Sequence, residues 1–354
     1  MRKSEAPFRH CKEQTVCTAV HEGIAMGYIA VIGAGSWGTT LANVLAEKGY
    51  DVSLWAFEKE LVNEIKRTSI NNVYLPGVSL SHNIEVTGSI KEAVKKSRYI
   101  VSVVPTQFTR SVFQNASSFI PDGAIVINAS KGIEHGTLLT VSSILDDLTD
   151  RQVAVLSGPS FAADVIKKLP TAVTVAAHDN DTALLLQDVF NTDYLRIYTN
   201  TDVIGVEIGG ALKNVMAIAS GICDGLGLGA SSRAALITRG LAEMTRLGVT
   251  MGAQEKTFGG LSGLGDLVLT CTSTLSRNYT VGFKLGRGER LGDILASTKM
   301  VAEGVATSVS AHELAAKFNV EMPIVDQIYQ VIQEDKNAGD AVRELMTRSL
   351  KAEY

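Results

Sequence analysis

Blocks of apolar and polar residues alternate along residues 28–200. Short apolar runs, of which Tyr28–Ile32 is the first, have the composition of strands that are buried on both faces. Segments with apolar residues at helical spacing lie between these runs. This alternation predicts an α/β domain with a mostly parallel, doubly wound sheet. The predicted strands are 28–32, 51–55, 84–87, 99–104, 124–129, 153–157, 171–176 and 195–198.

The strand pattern ends near Asn200, and helical patterns interrupted by glycine clusters follow it. We therefore predict an all-α C-terminal domain over residues 201–354, preceded by the α/β domain over residues 28–200. Residues 1–27 carry mixed charges without an apolar stretch and are predicted to form a flexible N-terminal extension. The predicted helices of the second domain are 202–222, 231–251, 281–295 and 303–335.

A glycine-rich turn joins the first predicted strand to the first predicted helix. Gly33, Gly35 and Gly38 form the pattern GxGxxG in "VIGAGSWG". In a Rossmann-type domain these glycines provide a tight turn, room for a pyrophosphate, and close packing of helix on strand. The turn predicts a bound dinucleotide, NAD or NADP, at the helix N-terminus. The alternative is a buried structural turn that holds no ligand.

Three more turns follow strands of the same predicted sheet: "VVPTQF" at 103–108, "NASKG" at 128–132 and "SGPSFA" at 157–162. Because ligands bind at the carboxyl ends of parallel strands, we expect all three near the glycine turn. Lys131 in the second turn could hold a phosphate or orient a carbonyl. The pattern alone leaves open that Lys131 is an ordinary surface lysine.

Lys213 lies in the predicted helix 202–222, where the other ionisable residues are Asp202 and Glu207. Burial disfavours a charged ammonium and lowers its pKa toward the range where it exchanges a proton at neutral pH. Lys213 is therefore a candidate proton donor and acceptor, with Asn214 as an adjacent orienting amide. In the alternative interpretation its alkyl stem follows the helix and its ammonium reaches water.

The segment "GGLSGLGDLVLTCTSTLSRN", residues 259–278, is a candidate anion site. Its glycines are predicted to form a concavity of backbone N–H groups before Asp266. Arg277 and Asn278 offer a guanidinium and an amide suited to phosphate oxygens. The alternative is an interhelical loop with a surface arginine.

Composition narrows the function. The net charge of −4 offers no general attraction to nucleic acid, and no apolar run reaches the length of a membrane span. Four cysteines in a chain of 354 residues do not form a disulfide framework, which favours a cytoplasmic protein. Cys11 and Cys17 lie near His10 and His21, but their spacing matches no zinc pattern, so no metal is predicted.

These motifs together resemble the NAD(P)-dependent glycerol-3-phosphate dehydrogenases over about residues 28–340. The resemblance rests on their order and spacing, which is more specific than any one of them. The motifs are "GAGSWGT", "VVPTQF", "ASKG", "SGPSFA", "GGALKNV", "LITRGLAEM", "GLGDLVLTCTS", "SRN" and "VAEG".

The resemblance implies reversible hydride transfer between a nicotinamide and dihydroxyacetone phosphate, which yields sn-glycerol 3-phosphate. It implies Lys213 as the proton donor and acceptor, with Lys131 and Asp266 as further catalytic residues. The implied substrate-binding residues are Lys131, Gly158, Ser160, Lys213, Asn214, Asp266, Thr270, Ser276, Arg277 and Asn278. The implied cofactor-binding residues are Gly33, Gly35, Ser36, Trp37, Gly38, Phe57, Phe108, Lys131, Ala162, Arg277, Val301 and Glu303.

Several alternatives stay open at this stage. The second predicted strand ends in "LWAFEK", with Glu58 three residues after Trp55 and no arginine, so NAD and NADP are both possible cofactors. A β-hydroxyacid or 6-phosphogluconate type dehydrogenase is the nearest enzymatic alternative, although its KxxxN pattern would need asparagine where Ala217 stands. A non-catalytic NAD(H)-binding redox sensor is the alternative from another class. The apolar second domain favours a homodimer.

Overall fold

The computed structural model describes residues 27–297, 301–350 and 352–353. Eight strands form one sheet in the order β3-β2-β1-β4-β5-β6-β7-β8. All neighbouring strands are parallel except β6 and β7, which are antiparallel. The mostly parallel sheet is confirmed, and strand ends differ from the predicted ones by at most two residues. The strands are β1 Tyr28–Ile32, β2 Val52–Trp55, β3 Ile84–Thr87, β4 Ser97–Ser102, β5 Ile125–Asn128, β6 Gln152–Ser157, β7 Thr171–Ala177 and β8 Leu195–Asn200.

Helices cover both faces of this sheet, as expected for a doubly wound fold. On one face, Leu41 and Leu45 pack with Val31 and Val101 in the largest apolar cluster. On the other face, Phe113 packs with Ile100 in a second cluster. The helices are α1 Ser36–Glu47, α2 Lys59–Thr68, α3 Ile90–Val94, α4 Thr106–Ala116, α5 Val141–Thr149, α6 Ala162–Val165 and α7 Asn180–Phe190, with a 3-10 turn at Ser117–Phe119.

Among the described residues after β8, the regular elements are all helices. Its central helix, α8, is long and apolar enough to cross a membrane by composition, but 94% of the relevant window is buried inside the protein. Such burial is typical of a core helix. The helices are α8 Val203–Gly225, α9 Gly229–Thr250, α10 Glu255–Phe258, a π-helical turn Leu261–Gly265, α11 Asp266–Thr272, α12 Arg277–Gly286, α13 Leu291–Ala296, α14 Glu303–Phe318, α15 Pro323–Gln333 and α16 Ala338–Met346.

Two of the predicted helices are wrong as single elements. The segment 281–295 is divided between α12 and α13, and Gly288 between them has a left-handed φ of 86°. The segment 303–335 is divided between α14 and α15, because Asn319 takes a left-handed conformation and Pro323 begins the next helix. The residue types at both breaks favour the end of a helix. The prediction missed them because the apolar spacing continues across each break.

Candidate active site

The glycine turn has the geometry that its three predicted roles require. Gly33 has a φ of 115°, and a Cβ there would lie 2.8 Å from the carbonyl oxygen of Val103. A Cβ at Gly38 would overlap the carbonyl of Gly33, so this glycine permits close packing of α1 on β1. A Cβ at Gly35, by contrast, would meet nothing within 4 Å. The open space is therefore above Gly35, where a pyrophosphate could approach the backbone.

A cleft of about 620 Å³ extends from this turn to the helical region. Phe57 and Phe108 at its mouth are 79% and 56% exposed, although both are large apolar side chains. Of the cofactor-binding residues that the resemblance implies, Gly38 alone lies beneath the cleft. The others line it: Gly33, Gly35, Ser36, Trp37, Phe57, Phe108, Lys131, Ala162, Arg277, Val301 and Glu303.

Two lysines and one aspartate meet at the inner end of the cleft. Lys213 on α8 donates to Oδ1 of Asp266 at 2.7 Å and to Oγ1 of Thr270 at 2.7 Å. Lys131, in the turn after β5, donates to Oδ2 of Asp266 at 2.6 Å and to the carbonyl of Gly158 at 3.0 Å. The side chains of Lys131 and Lys213 are 16% and 8% exposed, which contradicts the surface-lysine alternative for both.

Burial and neighbouring charge set the protonation of this cluster. Burial lowers the pKa of Lys213 to about 8; the ammonium of Lys131 acts in the same direction and Asp266 opposes it. Burial acts to raise the pKa of Asp266, but the ammonium groups of Lys131 and Lys213 outweigh it and hold that pKa below its usual value. The carboxylate therefore stays ionised while Lys213 can exchange a proton near neutral pH.

A series of amide hydrogen bonds connects the segments that carry the cluster. Asn278 on α12 donates to Oδ1 of Asn214 at 2.9 Å, and Asn214 donates to the carbonyl of Lys131 at 3.1 Å. The N–H of Gly304 at the start of α14 donates to Oδ1 of Asn278 at 2.9 Å. Three helices of the second region, α8, α12 and α14, are thus joined to the turn that carries Lys131.

Arg277 and Glu303 bring the helical region to the glycine turn. Arg277 donates to Oγ of Ser36, the first residue of α1, at 3.3 Å. Oε1 of Glu303 accepts from the N–H of Thr106 at 2.9 Å, whereas its buried Oε2 has no hydrogen-bond partner in the described part of the chain. Burial raises the pKa of Glu303 to about 7. An unpaired buried oxygen at the cleft wall fits a site that a ligand completes.

The structure does not bring every expected residue to the cleft surface. Ser160, Asn214, Thr270, Ser276, Arg277 and Asn278 line the cleft with the two lysines. Gly158 and Asp266 lie behind it, where their oxygen atoms hold the lysine ammonium groups. Asp266 is only 1% exposed, so it contacts the lysines rather than the cleft.

The predicted anion-binding concavity at Gly259, Gly260, Gly263 and Gly265 is wrong. Residues 261–265 form a π-helical turn. A Cβ at Gly263 would overlap the backbone of Phe258, and a Cβ at Gly209 on α8 would lie 2.7 Å from the carbonyl of Ser262. Gly263 and Gly209 therefore permit close packing of the turn against its neighbours, and Asp266 follows the turn at the start of α11.

Two residues that could not be assigned a role from the sequence are Tyr74 at the cleft and Glu207 behind it. Tyr74 lines the cleft and donates to Oε1 of Glu58 at 3.0 Å, while its carbonyl accepts from Oγ of Ser36 at 2.7 Å. Its segment, "NNVYLPG", carries no catalytic pattern that could have indicated this. Glu207 is 2% exposed and accepts hydrogen bonds from Asn128 and Ser142. In the sequence it was visible only as an ionisable residue in an apolar helix.

No cluster of three or more His, Cys, Asp or Glu side chains that could hold a metal ion occurs among the residues that the structure describes. The cysteines and histidines at positions 10–21 lie outside those residues, as do positions 1–26 of the predicted flexible extension.

Comparison with known proteins identifies the family. Residues 28–183 match the family model of the NAD-dependent glycerol-3-phosphate dehydrogenase N-terminus, and residues 202–343 match that of the C-terminus. The glycerol-3-phosphate dehydrogenase [NAD(P)+] of Geobacter sulfurreducens is 56% identical over 329 residues, which cover 92% of this chain and 98% of the relative. That of Citrifermentans bemidjiense is 55% identical with the same coverage.

Solved structures agree with this assignment. The crystal structure of glycerol-3-phosphate dehydrogenase from Coxiella burnetii superposes with a TM-score of 0.88 at 39% identity, over 91% of this chain and 99% of that one. The matches therefore cover both the sheet region and the helical region. The chain belongs to the NAD-dependent glycerol-3-phosphate dehydrogenase family.

Proposed function

We propose that this chain catalyses the reversible, NAD(P)-dependent reduction of dihydroxyacetone phosphate to sn-glycerol 3-phosphate. The observation that carries the proposal is the buried Lys131–Asp266–Lys213 cluster at the inner end of a cleft that begins over Gly35. The names of relatives 55% and 56% identical to the chain support the same reaction.

The dinucleotide would be held mainly by the sheet region, residues 28–200. The space above Gly35 and the N-terminus of α1 suit its pyrophosphate. When bound, the reduced nicotinamide supplies the hydride. We infer that the residues that hold it are Gly33, Gly35, Ser36, Trp37, Phe57, Phe108, Lys131, Ala162, Arg277, Val301 and Glu303, with Gly38 supporting the turn from below.

Lys213 is the proposed proton donor for ketone reduction. As the carbonyl carbon is reduced, negative charge develops on its oxygen, and an ammonium at that oxygen stabilises the charge and delivers a proton. Lys131 adds a second positive charge, while Asp266 stays ionised and fixes both lysines. In the reverse direction the neutral amine of Lys213 takes the proton from the alcohol.

The helical region, residues 201–354, would supply most of the substrate contacts. Arg277 begins α12, and its guanidinium offers the planar donors that suit phosphate oxygens. We infer that substrate is bound by Lys131, Ser160, Lys213, Asn214, Thr270, Ser276, Arg277 and Asn278, with Gly158 and Asp266 acting through the lysines.

The proposal also covers the compartment and the oligomeric state of the protein. The two described cysteines, Cys223 and Cys271, are free and buried, which is in keeping with a cytoplasmic enzyme. The homodimer is proposed from the apolar composition of the second region alone. Sedimentation of the purified chain would measure its oligomeric state.

The proposed reaction is tested by mixing the purified chain with dihydroxyacetone phosphate and NADH or NADPH. Oxidation of either reduced nucleotide, with sn-glycerol 3-phosphate as product, is the expected result. A 2-oxo acid in place of the ketone is the control and should not be reduced. Binding of nucleotide without any turnover would contradict the proposal and favour the redox-sensor alternative.

A further inference from the structure

The end of β2 lies directly beside the glycine turn. The carbonyl of Trp55, the last residue of β2, accepts a hydrogen bond from the N–H of Gly33 at 3.1 Å. Glu58 follows three residues later at the N-cap position of α2 and lines the same cleft as Gly35. In dinucleotide-binding folds, the end of the second strand faces the ribose of the adenosine half.

Tyr74 holds the carboxylate of Glu58 at this place. The hydroxyl of Tyr74 donates to Oε1 of Glu58 at 3.0 Å, and the carbonyl of Tyr74 accepts from Oγ of Ser36 at 2.7 Å. Burial and the Glu58 carboxylate raise the pKa of this hydroxyl, so it remains a hydrogen-bond donor at neutral pH. Glu58 is thereby linked to the first residue of α1.

The carboxylate of Glu58 has one oxygen that is free to accept a hydrogen bond. Within the described residues, Glu58 forms no ion pair and its Oε2 accepts no hydrogen bond. Lys59, the next residue, is exposed and forms no ion pair in that part of the chain either. A ribose 2′-hydroxyl can donate to Oε2, whereas a 2′-phosphate brings about two negative charges toward an unneutralised carboxylate.

We propose that Glu58 makes this chain select NAD(H) over NADP(H). Its carboxylate accepts the 2′-hydroxyl of the adenosine ribose and repels a 2′-phosphate. Tyr74 is a positioning residue that orients Oε2 toward the ribose. The proposal rests on the proposed function in one respect, which is that the dinucleotide lies in the cleft over Gly35.

Fluorescence titration of the full chain with NADH and with NADPH tests this selectivity without the ketone. We expect NADH to bind at least about tenfold more tightly, since a repelled charge of this kind is worth a kilocalorie or more. Glu58→Ser should narrow the ratio of the two dissociation constants by at least about tenfold, chiefly through tighter NADPH binding. Tyr74→Phe should narrow it by less, because the charge remains.

Glu60→Ser is the matched control. Glu60 is an exposed carboxylate two residues further along the chain on α2, and it does not line the cleft. Its replacement should leave the ratio unchanged. Equal or tighter binding of NADPH by the original chain would overturn the proposal. So would an unchanged ratio in Glu58→Ser, or a change of the same size in Glu60→Ser.

The same variants separate this proposal from the proposed reaction. If NADH binds more tightly than NADPH but dihydroxyacetone phosphate is not reduced, the proposed reaction is contradicted and the proposed role of Glu58 is not. If both nucleotides support turnover at equal kcat/KM, the proposed selectivity is contradicted and the proposed reaction is not. Failure of both nucleotides to bind would contradict both proposals.

Discussion

A single carboxylate organises the candidate chemistry at the residue scale. Asp266 accepts from Lys131 through one oxygen and from Lys213 through the other, so the two ammonium groups stay close despite their repulsion. Since the pKa of Lys213 is about 8, its ammonium form dominates below that pH and its amine form above it. Ketone reduction should therefore decline as pH rises through about 8, and alcohol oxidation should decline as pH falls through the same range.

Asp266→Asn tests this electrostatic arrangement. The carboxylate raises the pKa of Lys213, so its loss lowers that pKa further and leaves two cations facing each other. We expect the alkaline decline of ketone reduction to move to lower pH, and kcat to fall by about 100-fold. The pH profiles of kcat and kcat/KM measure both effects.

Asp293→Asn is the control for this change, because Asp293 is an exposed residue of α13 outside the cleft. It should keep the original profile. An Asp266→Asn enzyme whose profile is unchanged would show that the carboxylate does not act on Lys213.

The sequence could predict the members of this cluster but not its geometry. An apolar helix around Lys213 indicated burial, yet the same pattern allowed the ammonium to reach water. Lys131 and Lys213 are 135 and 53 positions from Asp266 in the chain, so their meeting depends on packing that periodicity does not encode. The role of Gly263 could not be predicted for the same reason, since its packing partners are Phe258 on α10 and Gly209 on α8.

At the scale of elements, Glu207 joins α8 to the turn that carries Lys131. Its Oε1 accepts from Nδ2 of Asn128 at 2.8 Å and from the N–H of Ser142 at 2.8 Å. Asn128 in turn accepts from the N–H of Ser130 at 2.8 Å, one residue before Lys131. The helix that holds Lys213 and the turn that holds Lys131 therefore share one buried hydrogen-bond network.

Glu207→Ala should disturb the active cluster as well as the fold. Loss of a buried acceptor costs about 1–3 kcal/mol of unfolding free energy for each unsatisfied donor. The turn then keeps only the hydrogen bond from Asn214 to the carbonyl of Lys131 as its link to α8. We expect kcat to fall by about tenfold or more, because a displacement of about 1 Å in an active site can cost about 100-fold in rate. Glu207→Gln keeps an acceptor at Oε1 and should restore most of kcat.

Glu243→Ala is a matched control for Glu207→Ala. Glu243 is also 2% exposed, but it accepts from the N–H groups of Ile324 and Val325 at the start of α15, outside the cleft. It should lose stability in a denaturant titration without losing kcat. Equal effects of the two variants on kcat would assign Glu207 a purely structural role.

The elements themselves could largely be predicted. Buried strands of a parallel sheet are continuous apolar runs, and all eight were found within two residues of their ends. The antiparallel direction of β7 was not predicted, because an apolar run reads the same in both directions. The breaks at Gly288 and Asn319 were missed, although their residue types favour left-handed backbone.

At the scale of the whole molecule, the site forms where the sheet region and the helical region meet. Arg277 and Glu303 from the helical region contact Ser36 and Thr106 at the carboxyl edge of the sheet. The two-part architecture and this edge could be predicted from topology alone. The width of the cleft could not, since it depends on how α12 and α14 pack against α8.

The central claim is that Lys213 exchanges a proton with the substrate while the dinucleotide lies in the cleft. Lys213→Ala removes the ammonium but leaves the ion pair of Lys131 and Asp266 and the wall around Gly35. Lys317→Ala, on an exposed part of α14 outside the cleft, is the control.

The most direct test measures NADH oxidation by dihydroxyacetone phosphate in both variants, together with the NADH dissociation constant. We expect Lys213→Ala to reduce turnover by about 100- to 10,000-fold with nucleotide affinity nearly unchanged, and Lys317→Ala to match the original chain in both. Near-normal turnover in Lys213→Ala would contradict the account.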